Sequence, residues 1–177
     1  MKRLSAAVLS IGLAAAPATA LAGPNDNSNK RPWALQIGAG PTLDIPFGFA
    51  VGTVGVDFQY HFKKGDVGPA LGGLLHTHFG FGDFGFTTGP IFMWDFRVVT
   101  SSNFKLYVAP LAAAGFGLNT YGRGADPYFF ADIGGQLKGV WNDRVGFFVR
   151  PATFSVWAGP FGGVALWTLF GGLTLSF

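Results

Sequence analysis

Apolar and polar residues alternate with a period of two between residues 49 and 62. One parity is apolar throughout and consists of Val54, Val56, Phe58, Tyr60 and Phe62. The other parity is small or polar and includes Asp57 and Gln59. Because successive side chains of a β-strand point to opposite faces, this segment is predicted to be a strand with one apolar and one polar face.

Seven other segments alternate in the same way, and the stretches between them have the composition of turns. The segments are 33–39, 71–81, 92–98, 104–118, 129–141, 145–153 and 167–177. The predicted connections include residues 63–66, 82–85, 99–103 and 142–144, and the longest runs from residue 119 to 127. Pairing Phe62 with Val67 keeps the apolar parities of two neighbouring strands on one face. In the segment 145–153, the alternation assigns Thr153 to the apolar face and Arg150 to the polar face.

The composition indicates that the apolar faces meet lipid. The chain is 49% hydrophobic and only 12% charged, whereas a soluble domain usually has about 25% charged residues. After residue 22, every apolar run is interrupted before it reaches the ~20 residues of a membrane helix. Lipid offers no partner to unpaired backbone groups, so a membrane-embedded sheet must close on itself. We therefore predict an all-β fold, a transmembrane antiparallel up-and-down β-barrel of about eight strands.

The N-terminal segment differs from the rest of the chain and predicts export. Residues 1–22 combine Lys2 and Arg3 with a short apolar run and a small-residue end at Ala22, as in a cleavable signal peptide. Residues 23–31 are polar and are predicted to be a flexible lead-in, and residues 32–177 are predicted to form the barrel. Without the leader, the basic and acidic residues nearly balance, so we expect no nucleic-acid partner.

The last segment ends in Leu173, Leu175 and Phe177, a pattern that resembles the closing strand recognised by the bacterial barrel-assembly machinery. With the signal peptide and the eight alternating segments, it makes the chain similar to the small outer-membrane barrels of the OmpA/OmpX type. The resemblance implies a multi-pass outer-membrane protein of a Gram-negative-type bacterium. Its implied partners are outer-membrane lipids and, during biogenesis, the barrel-assembly machinery and periplasmic chaperones.

Polar residues on the inward parity are the candidate site residues. An eight-stranded barrel has an interior just wide enough for side chains, and buried charges need partners. These residues are therefore predicted to form a structural network that plugs the lumen. Asp95 and Lys105, diagonal neighbours on adjacent strands, are the first predicted ion pair. The predicted network comprises Asp57, Gln59, His76, His78, Asp95, Arg97, Lys105, Asp132, Lys138 and Arg150.

Two alternatives give the lumen a role in transport. One is a proton or ion path along the same charged residues. The other is a narrow channel or carrier for a small, apolar ligand, with a pore opening at Gly38, Gly40 and Ala113. The channel or carrier would require an interior that its own side chains do not fill.

The histidines and serines offer little metal-binding or catalytic chemistry. His76 and His78 share a face and could bind a metal together with Asp83, but His61 is predicted to lie roughly 26 Å from His76. A lipid-modifying outer-membrane enzyme would need a serine within reach of a base, and no serine alternates with a histidine on one strand face. We therefore expect a non-enzymatic protein without a cofactor, a metal or catalytic residues.

Overall fold

Eight antiparallel strands form a closed barrel in sequence order, and β8 pairs with β1. The computed structural model describes residues 32–45, 48–62, 67–80, 83–121, 124–160 and 162–177. The strands are β1 (Trp33–Asp44), β2 (Ala50–His61), β3 (Gly68–Gly80), β4 (Asp83–Thr100), β5 (Phe104–Tyr121), β6 (Gly124–Trp141), β7 (Val145–Gly159) and β8 (Gly162–Ser176). The all-β barrel of eight strands that the alternation predicts is confirmed.

The two ends of the barrel are distinguished by the chain termini. We call the end that holds Trp33 and Phe177 the terminal end, and the other end the opposite end. Two backbone hydrogen bonds join these residues, from Trp33 N to Phe177 O at 3.2 Å and from Phe177 N to Trp33 O at 3.0 Å. They complete the seam between β1 and β8. The predicted signal peptide (residues 1–22) and lead-in (residues 23–31) lie outside the described residues.

The outer face of the barrel is apolar along its strands. In β2, Asp57 is fully buried, whereas its neighbour Phe58 is 42% exposed. A soluble barrel would have polar residues on its outer face, so this exposed apolar belt requires apolar surroundings. Large outward residues on other strands include Ile37, Leu75, Trp94, Ile133 and Leu173. No helix in the described part of the chain is long and apolar enough to cross a bilayer.

Aromatic side chains form a band around the outside of the terminal end. The ring of Trp33 stacks on Phe58 with 4.9 Å between centroids and lies 4.6 Å from the ring of Tyr60. On the other side of the barrel, Phe104 and Trp141 are 4.9 Å apart. Such bands are typical of the levels at which a barrel meets the membrane–water interface.

Two connections differ from those predicted, and the first is that of residues 82–85, because β4 already begins at Asp83. β5 and β6 remain paired as far as Tyr121 and Gly124, so the long connection predicted for residues 119–127 is wrong. At the turn between β6 and β7, Asn142 and Asp143 adopt positive φ values of 50° and 55°. Asn and Asp enter this region more readily than most residues, which explains why the turn forms where the composition predicts it.

The register between β2 and β3 is two residues away from the prediction. These strands align His61 with Ala70, so the predicted pairing of Phe62 with Val67 is wrong. An even shift leaves the parity of each side chain unchanged. The inward and outward assignments on both strands therefore still hold.

A β-bulge in β7 reverses the parity of that strand. The register with β8 shifts between Arg150 and Thr153, and the register with β6 shifts between Val149 and Ala152. Pro151 lies at both shifts and has no N–H to donate to the ladder. Thr153 is consequently turned inward with only 7% of its surface exposed, and its predicted outward position is wrong. The same shift carries Trp157 into the lumen, where it stacks on Tyr128 with 4.5 Å between ring centroids.

Part of the interior is an apolar cluster contributed by β3, β4, β5 and β6. It packs beside polar side chains from the rest of the barrel and lowers the dielectric constant around them, which strengthens electrostatic interactions inside the lumen. The cluster consists of Leu74, Ile91, Met93, Ala109, Leu111, Ala113, Tyr128 and Phe130.

Candidate functional site in the lumen

A charged cluster crosses the lumen near the terminal end, and we call it the terminal cluster (His61, Asp95 and Lys138). Asp95 is fully buried and accepts hydrogen bonds from His61 Nε2 at 2.7 Å and from Lys138 Nζ. Nζ of Lys138 also lies 5.0 Å from the ring centre of Tyr107. The three ionisable groups come from β2, β4 and β6, so the cluster joins strands that are not neighbours.

A second charged cluster lies deeper in the barrel, and we call it the middle cluster (Asp57, His76 and Arg150). Asp57 accepts hydrogen bonds from His76 Nε2 at 2.8 Å and from the guanidinium of Arg150. Arg150 also donates to the side-chain oxygens of Gln36 and Gln136, each at 2.9 Å. Buried ions are tolerated when partners of this kind compensate for the lost hydration.

Aromatic rings hold Arg150 from the sides. Its Cζ lies 5.2 Å from the ring centre of Phe148 and 5.6 Å from that of Phe170, within the range of cation–π attraction. A Cβ added to Gly38 would stand 2.8 Å from Cζ of Phe148, so this glycine leaves room for the rings. Gly38 and Ala113, two of the three predicted pore positions, are therefore packed against other side chains, since Ala113 belongs to the apolar cluster.

A neutral hydrogen-bond chain crosses the lumen on the side of the middle cluster that faces the opposite end. Thr42 Oγ1 lies 2.9 Å from Thr168 Oγ1 and 2.8 Å from Thr53 Oγ1. His78 continues the chain through Nδ1, 3.0 Å from Thr53 Oγ1, and through Nε2, 3.1 Å from Thr87 Oγ1. This threonine–histidine chain links five neighbouring strands and fixes the orientation of the His78 ring.

Asp95 and Lys105, the ion pair predicted first, have other partners in the structure. Asp95 is bonded within the terminal cluster, whereas Lys105 forms an ion pair with Asp143 at 2.9 Å near the β6–β7 turn. The predicted Asp95–Lys105 pair is wrong, because β4 and β5 align Lys105 with Thr100 and Arg97 with Tyr107, so Asp95 and Lys105 are not diagonal neighbours. Arg97 points inward from β4, opposite Tyr107 on β5.

The last two residues of the predicted network also face the interior. Gln59 donates to the side-chain oxygen of Gln36 at 3.1 Å and so extends the middle cluster. Asp132 lines a small cavity of about 30 Å³ and accepts a hydrogen bond from Ser155. The predicted network omitted His61 and the chain threonines, although their inward parity was visible in the sequence.

The described residues show no arrangement typical of metal binding or of an activated nucleophile. No group of three or more metal-ligating side chains occurs among them, and the side chain of Asp83 lies outside the described part. His61 and His76 are bonded to carboxylates and His78 to threonine hydroxyls. No histidine in the described part is hydrogen-bonded to a serine.

Comparisons with known proteins bear on the fold. No protein-family model matches the sequence, and no curated protein matches it. The structure is similar to the N-terminal β-barrel domain of Pseudomonas aeruginosa OprF, with a TM-score of 0.53 and 16% identity over 80% of this chain and 97% of that one. It is also similar to Neisserial surface protein A, with a TM-score of 0.57 and 11% identity over 82% of this chain and 97% of that one. The chain therefore has the fold of the small, eight-stranded outer-membrane barrels.

Proposed function

We propose that this protein is a non-enzymatic, integral outer-membrane barrel whose lumen is sealed by its own side chains and whose role is structural or surface-interacting. The two charged clusters carry this proposal, because they fill the interior at two levels with ions that neutralise one another. A hydrated ion could pass only by breaking these pairs. Removing one partner of a buried ion pair costs about 3–5 kcal/mol, so a sealed lumen is favoured over a channel.

Three observations support a location in the outer membrane. The exposed apolar belt suits a lipid environment, and the fold is that of outer-membrane barrels. Residues 1–22 have the pattern of an export signal. Because the barrel has an even number of strands with both termini at one end, the terminal end would face the periplasm and the opposite end the cell exterior.

The proposed location implies assembly by the barrel-assembly machinery, and the seam between β1 and β8 supports a part for the C-terminal residue. Phe177 is exposed on the outside, as are Leu173 and Leu175, and its backbone makes both seam bonds to Trp33. Deleting Phe177 is expected to lower the amount of folded protein in the outer-membrane fraction several-fold. The measurement is the intensity of the compact, unboiled band on a gel.

Phe129→Ala is the matched control for this deletion, because Phe129 is also an outward phenylalanine but lies at the opposite end. It should leave the amount of folded protein close to that of the wild type. Equal amounts for the Phe177 deletion and the wild type would contradict the proposed assembly signal.

Conductance across planar bilayers tests the sealed lumen. Purified protein is expected to give no single-channel steps above the baseline, because the terminal and middle clusters block the interior. A general porin measured in parallel verifies that the assay detects channels, and flotation with lipid vesicles verifies that this protein has inserted. Defined conductance steps from the inserted wild-type protein would contradict the proposal and favour a narrow channel.

A further inference from the structure

Residues of both the middle cluster and the threonine–histidine chain line the small cavity beside Asp132, which we call the middle cavity. His76 and Arg150 contribute from the middle cluster, and Thr53 and His78 contribute from the chain. The volume of the cavity is about 30 Å³. A cavity needs roughly 10–15 Å³ to hold one water molecule, so this one has room for one or two.

Two buried oxygen atoms at the middle cavity have no hydrogen-bond partner among the described residues. They are Oδ1 of Asp132 and Oγ1 of Thr153, and both residues line the cavity. A buried polar atom without a partner costs free energy, and in folded proteins nearly all such atoms bond either to protein or to ordered water. A ligand that forms hydrogen bonds with both oxygens would therefore stabilise the barrel.

The two residues occupy neighbouring positions on the inner face of the sheet. β6 and β7 align Asp132 with Ser155 and Gly134 with Thr153, so Asp132 and Thr153 are diagonal neighbours, roughly 7–8 Å apart between their Cα atoms. A Cβ added to Gly134 would stand 3.0 Å from Oγ1 of Thr153, so the glycine leaves space beside this hydroxyl. At this separation, one water molecule can bridge two side chains that point into the same cavity.

The bulge in β7 brings the hydroxyl of Thr153 to the cavity. Without the shift at Pro151, Thr153 would keep the outward parity that the sequence predicts, and its hydroxyl would face lipid. The same shift turns Ser155 inward, where its hydroxyl donates to Asp132. The bulge thus places two hydroxyl groups beside one carboxylate.

Both unpartnered oxygens lie deep in the barrel. Asp132 and Thr153 are roughly 25 Å or more along their strands from residues 123 and 161, the nearest positions of these two hairpins that lie outside the described part. That distance is several times the length of any side chain. The missing hydrogen bonds therefore have to come from within the lumen.

The charges around the middle cavity favour a neutral ligand. A cation there would be repelled by the guanidinium of Arg150, and an anion would be repelled by the carboxylate of Asp132. Water carries no net charge and can donate to one oxygen while it accepts from or donates to another. It also fits the volume of the cavity.

We propose that the middle cavity binds one or two ordered water molecules, one of which bridges Oδ1 of Asp132 and Oγ1 of Thr153. Because the cavity is lined by His76 from the middle cluster and His78 from the chain, the bound water would join these two systems into one hydrogen-bonded column. The proposed structural or surface role does not require this site, and the site does not depend on that role.

A high-resolution crystal structure of the wild-type protein tests the site directly. We expect an electron-density peak about 2.5–3.0 Å from both Oδ1 of Asp132 and Oγ1 of Thr153, the usual length of such hydrogen bonds. A second crystal soaked in a thallium(I) salt distinguishes water from a monovalent cation. The lack of a peak at this position, or an anomalous thallium signal there, would overturn the proposal.

Urea-induced unfolding in phospholipid vesicles tests the bridge independently. Asp132→Asn and Thr153→Val are measured singly and together. Residues that share a bonding partner are energetically coupled, so the unfolding constant of the double variant should rise about fivefold less than the product of the two single effects. Independent effects of the two substitutions would contradict a bridging water.

Thr174→Val is the matched control. Oγ1 of Thr174 is also buried without a partner among the described residues, but Thr174 is aligned with Gln36 on β1 and does not line the middle cavity. Its effect should be independent of Asp132→Asn, and coupling as strong as that of Thr153→Val would overturn the bridge. Folding of each variant is verified by its compact band on an unboiled gel. Should a variant fail to fold, the crystal structure of the wild type still decides the question.

Discussion

Asp57→Ala is expected to lower the free energy of unfolding by about 3–5 kcal/mol, the cost of breaking a buried ion pair. The side chain of Arg150 is only 3% exposed. The variant leaves its buried guanidinium without a carboxylate partner. His76 loses its partner at the same time. The measurement is urea-induced unfolding in phospholipid vesicles, followed by tryptophan fluorescence.

Two further variants show whether the loss comes from an uncompensated charge. Combining Asp57→Ala with Arg150→Met removes both ions, so the double variant should recover part of the lost stability. Lys105→Ala breaks a pair whose carboxylate, on Asp143, is 41% exposed, and it should cost only about 0–1 kcal/mol. An Asp57→Ala variant as stable as Lys105→Ala would contradict a buried middle cluster.

Val56→Arg is expected to destabilise the barrel in lipid by about 2–4 kcal/mol, the cost of an arginine on the lipid face near the bilayer midplane. Val56 lies in the centre of β2, points outward and is flanked by Ile37 on β1 and Leu75 on β3. The same unfolding measurement in vesicles applies.

Phe62→Arg is the matched control for membrane depth. Phe62 is also exposed but lies just beyond the end of β2, where an arginine reaches water and should cost about 0–1 kcal/mol. If the two substitutions had the same effect, or if Phe62→Arg were the more damaging, the apolar belt would not coincide with a bilayer.

The strand pattern could be predicted from the sequence because it depends only on residue type at alternate positions. In β2, Val56 and Phe58 point outward and Asp57 inward, as their parity predicts. β7 shows where parity fails, since the bulge beside Pro151 inserts one residue and turns Thr153 inward. A proline within a strand indicates either an edge or a bulge, and alternation alone does not distinguish them.

The pairing of ions inside the barrel could not be predicted, because it depends on closure of the sheet. Asp95 and Lys105 are diagonal neighbours only in the register predicted from the turn, whereas the structure aligns Lys105 with Thr100. Tilt and stagger of the closed barrel bring residues of distant strands together, so Asp95 meets His61 from β2 and Lys138 from β6. The sequence therefore predicted that these ten side chains lie in the interior, but it did not predict which of them bond to one another.

Spin labels along β7 test most directly whether this chain is a closed barrel with a lipid-facing outer surface. The chain has no cysteine, so single cysteines can be introduced and labelled at Val149, Thr153, Phe154 and Val156. In lipid vesicles, labels at Val149, Phe154 and Val156 should collide often with oxygen dissolved in the bilayer, and the label at Thr153 should not. Frequent collisions at Thr153 with few at Phe154, or greater access of all four labels to a water-soluble nickel reagent, would contradict the account.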